Sequence, residues 1–319
     1  MRTDVHTHLV PPIPAAVLAS VGLDARDGAV AAGDHVVGPR DLYRPERLVE
    51  WLRGAGLDRA LVSVPPPLYR QHDDPRVAAA WVRAVNDALL DVTAAHEALV
   101  PLGHLPLEHP AVALAEAERL MSDGWAGLSG CAGGRSVSLA DDAFEPLWTL
   151  LTTRDRPLLL HPGATPDMRM RDFYLENLLG NPVETGLAVA QLLLGGVLDR
   201  HPSLRIGLVH CGGVAPALVG RWQRGVDTAR PGIDRPSADL ASEARRLWVD
   251  ALAHDPSAVD LAIAVVGEEH VLVGSDWPFP MGSADPIGLV SHRGPDAVRR
   301  MSTDNAARFL GEDAPKRDG

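Results

Sequence analysis

The stretch Asp4-Val5-His6-Thr7-His8, close to the amino end, sets two imidazoles one residue apart. If the stretch is a strand, side chains alternate between faces, so His6 and His8 point the same way. Two imidazoles on one face can hold one metal ion, and neutral imidazole suits zinc, iron, nickel or copper. Further along, His161, His210 and Asp276 each end an apolar run: Pro157-Leu-Leu-Leu-His161, Leu204-Arg-Ile-Gly-Leu-Val-His210 and His270-Val-Leu-Val-Gly-Ser-Asp276. Asp250 closes Leu247-Trp-Val-Asp250 in the same manner. Three histidines with a carboxylate suit a borderline divalent ion with one coordination position left open. Such an ion would bring a bound water toward neutral pKa or polarise a substrate oxygen. His210 is then a fifth ligand or a general base. The base is preferred, because a proton must move near the ion and imidazole titrates near working pH.

One absence narrows the chemistry. Lys316, in the polar C-terminal stretch, is the only lysine in the chain. A Schiff-base lysine is therefore not expected. Nor is a carbamylated lysine bridging two metals, so a single ion is expected.

The elements that must position these groups are short apolar runs alternating with helical patterns. The runs are Arg2–His6, Arg59–Val64, Leu99–Leu105, Trp125–Ser129, Pro157–His161, Leu204–His210, Leu247–Asp250 and His270–Asp276. Helices are expected over about 45–55, 73–96, 110–123, 142–154, 215–228, 256–266 and 296–310, with one more starting at Asn181. There Asn181-Pro182-Val183-Glu184 reads as a capped start, and Val183, Leu187, Ala190, Leu194 and Val197 share one face. Eight runs alternating with helices predict an α/β fold, a (β/α)8 TIM barrel of the metal-dependent hydrolase type. In such a barrel the site lies at the C-terminal ends of the strands, where the histidines and Asp276 fall. An open doubly wound sheet is the rival, weakened because no Gly-x-Gly-x-x-Gly follows the first strand. Residues 1–311 are expected to form one domain, with an irregular insertion over about 11–45 that covers the mouth of a pocket, and with a disordered tail over 312–319.

Bulk composition is that of an ordinary soluble globular protein. The chain has 319 residues, 46% hydrophobic and 23% charged, with a net charge of −12. The acidic balance, with no basic stripe, argues against nucleic acid. The longest apolar stretch, about Leu187 to Leu198, is too short to span a bilayer and contains Gln191. No signal-peptide pattern opens the chain, so a cytoplasmic location is expected. Cys131 and Cys211 do not make a disulfide framework.

Taken together, the motifs resemble the amidohydrolase superfamily. The branch is the one typified by aminocarboxymuconate semialdehyde decarboxylase and the γ-resorcylate-type decarboxylases. The carriers are Asp4-Val-His-Thr-His8, Leu160-His-Pro162, Phe173 to Thr185, Gly195 to Pro202, Val209-His-Cys-Gly-Gly213, Gly274-Ser-Asp-Trp-Pro-Phe-Pro280 and Asp304-Asn-Ala-Ala-Arg308. The resemblance implies that His6, His8, His161 and Asp276 bind one divalent metal, zinc first and manganese second. It implies that His210 is the base; His210 and Asp276 are the residues named for catalysis. Gly220-Arg221 looks like the family's Gly-Arg, which makes Arg221 the candidate for a substrate carboxylate. Arg230 and Arg40 are weaker candidates. Trp277 and Phe279 are expected to wall the pocket. Cys211 stands where relatives often have glycine, and is read as filling space. Relatives of this kind are often dimers, so a homodimer is expected.

The function expected is metal-dependent, non-oxidative decarboxylation of a small carboxylic acid with an adjacent hydroxyl, oxo or unsaturated group. A hydrolase or hydratase using metal-activated water is the alternative. A metal-binding protein without catalysis is the third reading, opposed by the open coordination position and the free base.

Overall fold

The computed structural model describes residues 1–121, 124–235 and 238–312. The chain opens with β1 (Thr3–His8), buried at every position. The segment expected to be irregular holds α1 (Ala15–Ser20) and an antiparallel sheet of β2 (Asp24–Arg26), β3 (Ala29–Ala32) and β4 (His35–Val36). Then α2 (Pro45–Gly54) leads to β5 (Arg59–Ser63), and α3 (Pro75–Ala94) to β6 (Leu99–Leu105). Next come α4 (Pro110–Arg119), β7 (Gly127–Ala132), α5 (Glu145–Thr153) and β8 (Leu158–Pro162). The pairs α6 (Asn181–Leu194) and α7 (Val197–Arg200) precede β9 (Ile206–Leu208), and α8 (Ala215–Asp227) and α9 (Leu240–Ala244) precede β10 (Trp248–Asp250). The chain finishes with α10 (Pro256–Val266), β11 (Val271–Leu272), α11 (Pro295–Arg299) and α12 (Asn305–Leu310). The expected disordered tail, with Lys316, lies outside the described residues apart from Glu312, and so does Asp123, the expected end of the helix from 110.

Strands β1, β5, β6, β7, β8, β9, β10 and β11 are neighbours in that order, each pair parallel. Parallel strands are covered on both faces, which is why they read as apolar runs. The last edge meets the first through backbone bonds: Val5 N to Val273 O (2.9 Å), Asp276 N to His6 O (2.8 Å) and His8 N to Trp277 O (3.0 Å). These bonds fasten the residues after β11 onto β1, giving the (β/α)8 barrel. They also deliver Asp276 beside the two β1 histidines. Below the site the interior is apolar, with Val5, Leu61, Leu102, Leu159, Trp248 and Leu272 packed together over Phe309 of α12. Among the described residues no helix is long and apolar enough to cross a membrane.

Two local expectations are corrected. Asn181 does not cap α6; the chain runs in through a π-helical turn, Glu176–Gly180, and no side chain caps the start. Glu184 is buried and accepts the Gly134 amide at 2.8 Å. The buried face of α6 carries Thr185, Ala188, Val189, Leu192 and Leu193, while Leu187 is 49% exposed. The helix is apolar nearly all round, so periodicity alone allows more than one inward face. The small residue Gly186 settles it: a Cβ there would lie 2.4 Å from Val214. No residue of the segment over 11–45 is in the lining of the cavity at the strand ends. The segment packs behind Phe279, with Gly38 so close that a Cβ would sit 3.3 Å from that ring.

Candidate metal centre

β1 contributes His6 and His8, both fully buried, and β8 contributes His161. Each has one ring nitrogen tied to the protein. His6 Nδ1 lies 2.7 Å from Asp250 Oδ2. His8 Nδ1 lies 3.1 Å from Ser63 Oγ. His161 Nδ1 lies 2.8 Å from the Pro162 carbonyl, which can only accept. Ser63 Oγ also reaches Thr7 O at 3.4 Å, so its one proton has a carbonyl to go to and its oxygen can accept from His8. Tied this way, the three Nδ1 atoms carry the protons and the three Nε2 atoms present lone pairs.

Those three Nε2 atoms and Asp276 Oδ1 are buried without a hydrogen-bond partner. One ligand atom from each of the four residues lies within 4.8 Å of the others. Asp276 Oδ1 is 3.4 Å from His6 Nε2 and 3.1 Å from His8 Nε2. Tetrahedral zinc ligands at about 2.05 Å from the ion stand about 3.3 Å apart, so these spacings fit. Orphaned buried polar atoms are rare in a folded protein and call for a ligand. The residues present therefore fit a divalent ion.

The electrostatics agree. Burial would raise the Asp276 carboxyl, yet His6 beside it, with His210 and His8, holds it well below the usual carboxylate range. Burial, reinforced by His8, His210 and His6, takes His161 well below the usual imidazole value, and burial lowers His8. These two are neutral, as ligation requires. His6 goes the other way: burial lowers it, but the Asp276 and Asp250 carboxylates outweigh burial and raise it. A fully buried imidazole that still attracts a proton marks a place where positive charge is favoured.

His210 follows β9 on a turn with φ of 53°, and Cys211, Gly212 and Gly213 continue at positive φ. Asp276 also sits at φ of 60°. Non-glycine residues are uncommon in this region, and the surrounding structure must hold them there. The position explains why glycine would be at ease at 211; here the Cys211 amide is anchored on Asp250 Oδ1 at 2.8 Å. Burial pushes the Cys211 thiol up, so it stays protonated. His210 Nε2 stands 3.8 Å from Asp276 Oδ2, and its side chain is 19% exposed, unlike the four grouped residues.

A cavity of about 760 Å³ opens above the centre, with His161, His210 and Asp276 in its lining. Phe279 lines it, its ring 5.5 Å from that of His8. Trp277, expected on the wall, packs in the core, 6.3 Å from Trp51. The structure does not bring Arg221 to the cavity lining; it is exposed on α8, one turn beyond the lining residue Ala217. Arg230 donates to Thr228 O and Arg40 to Asp27 O, both away from the cavity. Residues that the sequence did not point to as part of a site are Ser63, the partner of His8, and Asn177, Asn181 and His254 in the lining. Asp250 was visible as a strand-ending carboxylate, but not as the partner of His6.

The amidohydrolase family model matches residues 3–311. A 2-amino-3-carboxymuconate-6-semialdehyde decarboxylase of Dictyostelium discoideum is 27% identical, over 86% of this chain and 78% of the relative. A 6-methylsalicylic acid decarboxylase of Penicillium expansum is 27% identical, over 87% of this chain and 85% of the relative. A solved 5-carboxyvanillate decarboxylase of Novosphingobium aromaticivorans, complexed with manganese and 4-hydroxy-3-methoxy-5-nitrobenzoic acid, superposes with a TM-score of 0.81. It shares 20% identity and covers 98% of this chain and 96% of its own, a likeness of fold. A match that runs through every strand of the barrel and all four grouped residues places this chain in the amidohydrolase family.

Proposed function

We propose that this protein is a metal-dependent, non-oxidative decarboxylase of an aromatic or unsaturated carboxylic acid with an adjacent hydroxyl or oxo group. The observation that carries this reading is the convergence of four orphaned ligand atoms beside an apolar cavity, in a chain whose full-length relatives are named decarboxylases. His6, His8, His161 and Asp276 would hold the ion. When bound, the ion supplies Lewis-acid stabilisation of negative charge on substrate oxygens.

The reaction replaces a carbon–carboxylate bond by a carbon–hydrogen bond. The electron pair of the broken bond stays on carbon, and that carbon takes a proton as carbon dioxide leaves. His210, within 3.8 Å of Asp276 and in the cavity lining, would move the proton. Phe279 and the apolar walls hold the ring and exclude water, which strengthens every charge interaction inside. Three imidazoles favour zinc. Manganese in the carboxyvanillate decarboxylase makes it the second ion to load. The chain is proposed to work as a homodimer, for which Phe173 and Leu179, exposed outside the cavity lining, offer apolar surface.

The test is product analysis by mass spectrometry with zinc- and manganese-loaded protein and a panel of hydroxylated aromatic and unsaturated acids. Loss of carbon dioxide is expected. Gain or loss of water instead would replace this reading with a hydratase or hydrolase.

A further inference from the structure

We propose that the cavity selects a monocarboxylic hydroxy-aromatic acid bearing an extended apolar substituent, and that it rejects a second anionic group. This deepens the decarboxylase reading and rests on it for the fate of the acid, but not for its binding.

Size is the first argument. Cavities of about 300–1,000 Å³ take ligands of drug size. At about 760 Å³ this one is far larger than a single substituted ring requires.

Charge is the second. Among the described residues, no arginine or lysine lines the cavity. Its titratable lining groups are His161, His210, Cys211, Asp276, His254 and Tyr174, the first four of which belong to the candidate metal centre or stand beside it. One carboxylate can face the ion. A second, deeper in the walls, would lose its water without a guanidinium or ammonium in exchange, and such burial is costly. The uncharged polar groups, Asn177 in the π-helical turn and Asn181 at the start of α6, suit a hydroxyl or carbonyl.

The third argument is the path to solvent. Leu178, Leu261 and Met281 line the cavity and yet are 51%, 44% and 36% exposed. Tyr174 beside them is 65% exposed. Apolar side chains therefore line the cavity out to its mouth. An alkyl chain or a second ring on the substrate would cover them, each methylene withdrawn from water adding to affinity.

The experiment separates binding from turnover. Metal-loaded protein is titrated by calorimetry with phenol and with 3-alkylphenols of increasing chain length, the products of the matching 6-alkyl-2-hydroxybenzoates. The acids themselves are assayed in parallel, beside a 2-hydroxybenzene-1,3-dicarboxylate. Affinity is expected to rise about fourfold per methylene until the chain reaches the mouth. Catalytic efficiency should follow the same order, with the dicarboxylate at least about tenfold weaker than its monoacid. Leu261→Asp, at an exposed position, should flatten the ladder for the longest chains. A flat or falling ladder, a preference for the dicarboxylate, or a ladder untouched by Leu261→Asp overturns the assignment. A rising phenol ladder with no turnover of any acid would uphold the cavity assignment and sink the decarboxylase reading instead.

Discussion

His6 and Asp250 meet at 2.7 Å across 244 residues of sequence, and both side chains are fully buried. The same carboxylate accepts the amides of Cys211 and Leu252. One residue thus fixes the His6 ring, a candidate metal ligand, and the turn that carries His210. Carboxylate partners of metal-bound histidines orient the ring and raise its basicity, and removing them costs about 10–100-fold in metal affinity. Asp250→Asn should weaken the metal by that factor in a chelator competition while the fold, followed by circular dichroism, persists. Unchanged affinity would mean that the contact serves only the turn.

Replacement of His8, His161 or Asp276 by Ala should each abolish stoichiometric metal after dialysis, measured by elemental analysis. Wild-type protein stripped by a chelator should melt lower than the loaded form, because an ion that binds only the folded state stabilises it by mass action. At a hundredfold excess over the dissociation constant the gain is about 2.7 kcal/mol. Full metal content in all three variants would remove the assignment.

His210 tests the proton role. Its positive φ favours Asn as the replacement, since Asn tolerates that region. His210→Asn should keep one ion per chain and lose about 10²–10⁴-fold in turnover. Loss of metal along with activity would make His210 a ligand.

Gly274 lies where a Cβ would come within 2.9 Å of both His6 Cβ and Asp250 Cβ. Gly274→Ala must push the pair apart. A loss of about 1–3 kcal/mol in urea unfolding is expected from the crowding. Metal affinity should fall with it; a stable variant with normal metal binding would show that the pair tolerates displacement.

The barrel was legible because parallel strands covered on both faces announce themselves as apolar runs. The four grouped residues were legible because each stands at or just past the end of such a run. What was hidden depends on closure of the barrel. Nothing local in Leu247-Trp-Val-Asp250 says that Asp250 faces His6; that follows only once β10, β11 and β1 are side by side. The same closure turns Trp277 into the core while leaving Phe279 on the cavity wall. Arg221 looked suitable by type and order, but its helix phase sends it outward at a point where only Pro216 and Ala217 of α8 reach the cavity. The inward face of α6 was misjudged because a helix rich in Leu, Val and Ala offers more than one apolar stripe.

His104 gives a pH prediction independent of the metal. It is 1% exposed on β6, its ring stacked on Tyr69 at 4.7 Å, and its Nδ1 has no partner. Burial drives its pKa down to about 3 from an ordinary 6.5. The unfolded chain therefore binds a proton between those values that the folded chain refuses. Stability from a neutral His104 is fully present above pH 6.5 and is lost as pH falls toward 3, by an amount on the order of a few kcal/mol. His104→Phe keeps an aromatic ring against Tyr69 and removes the titration. Urea unfolding of the variant from pH 7 to pH 4 should show a slope shallower by up to one proton than that of the wild type. Parallel slopes would mean that His104 takes up its proton without unfolding.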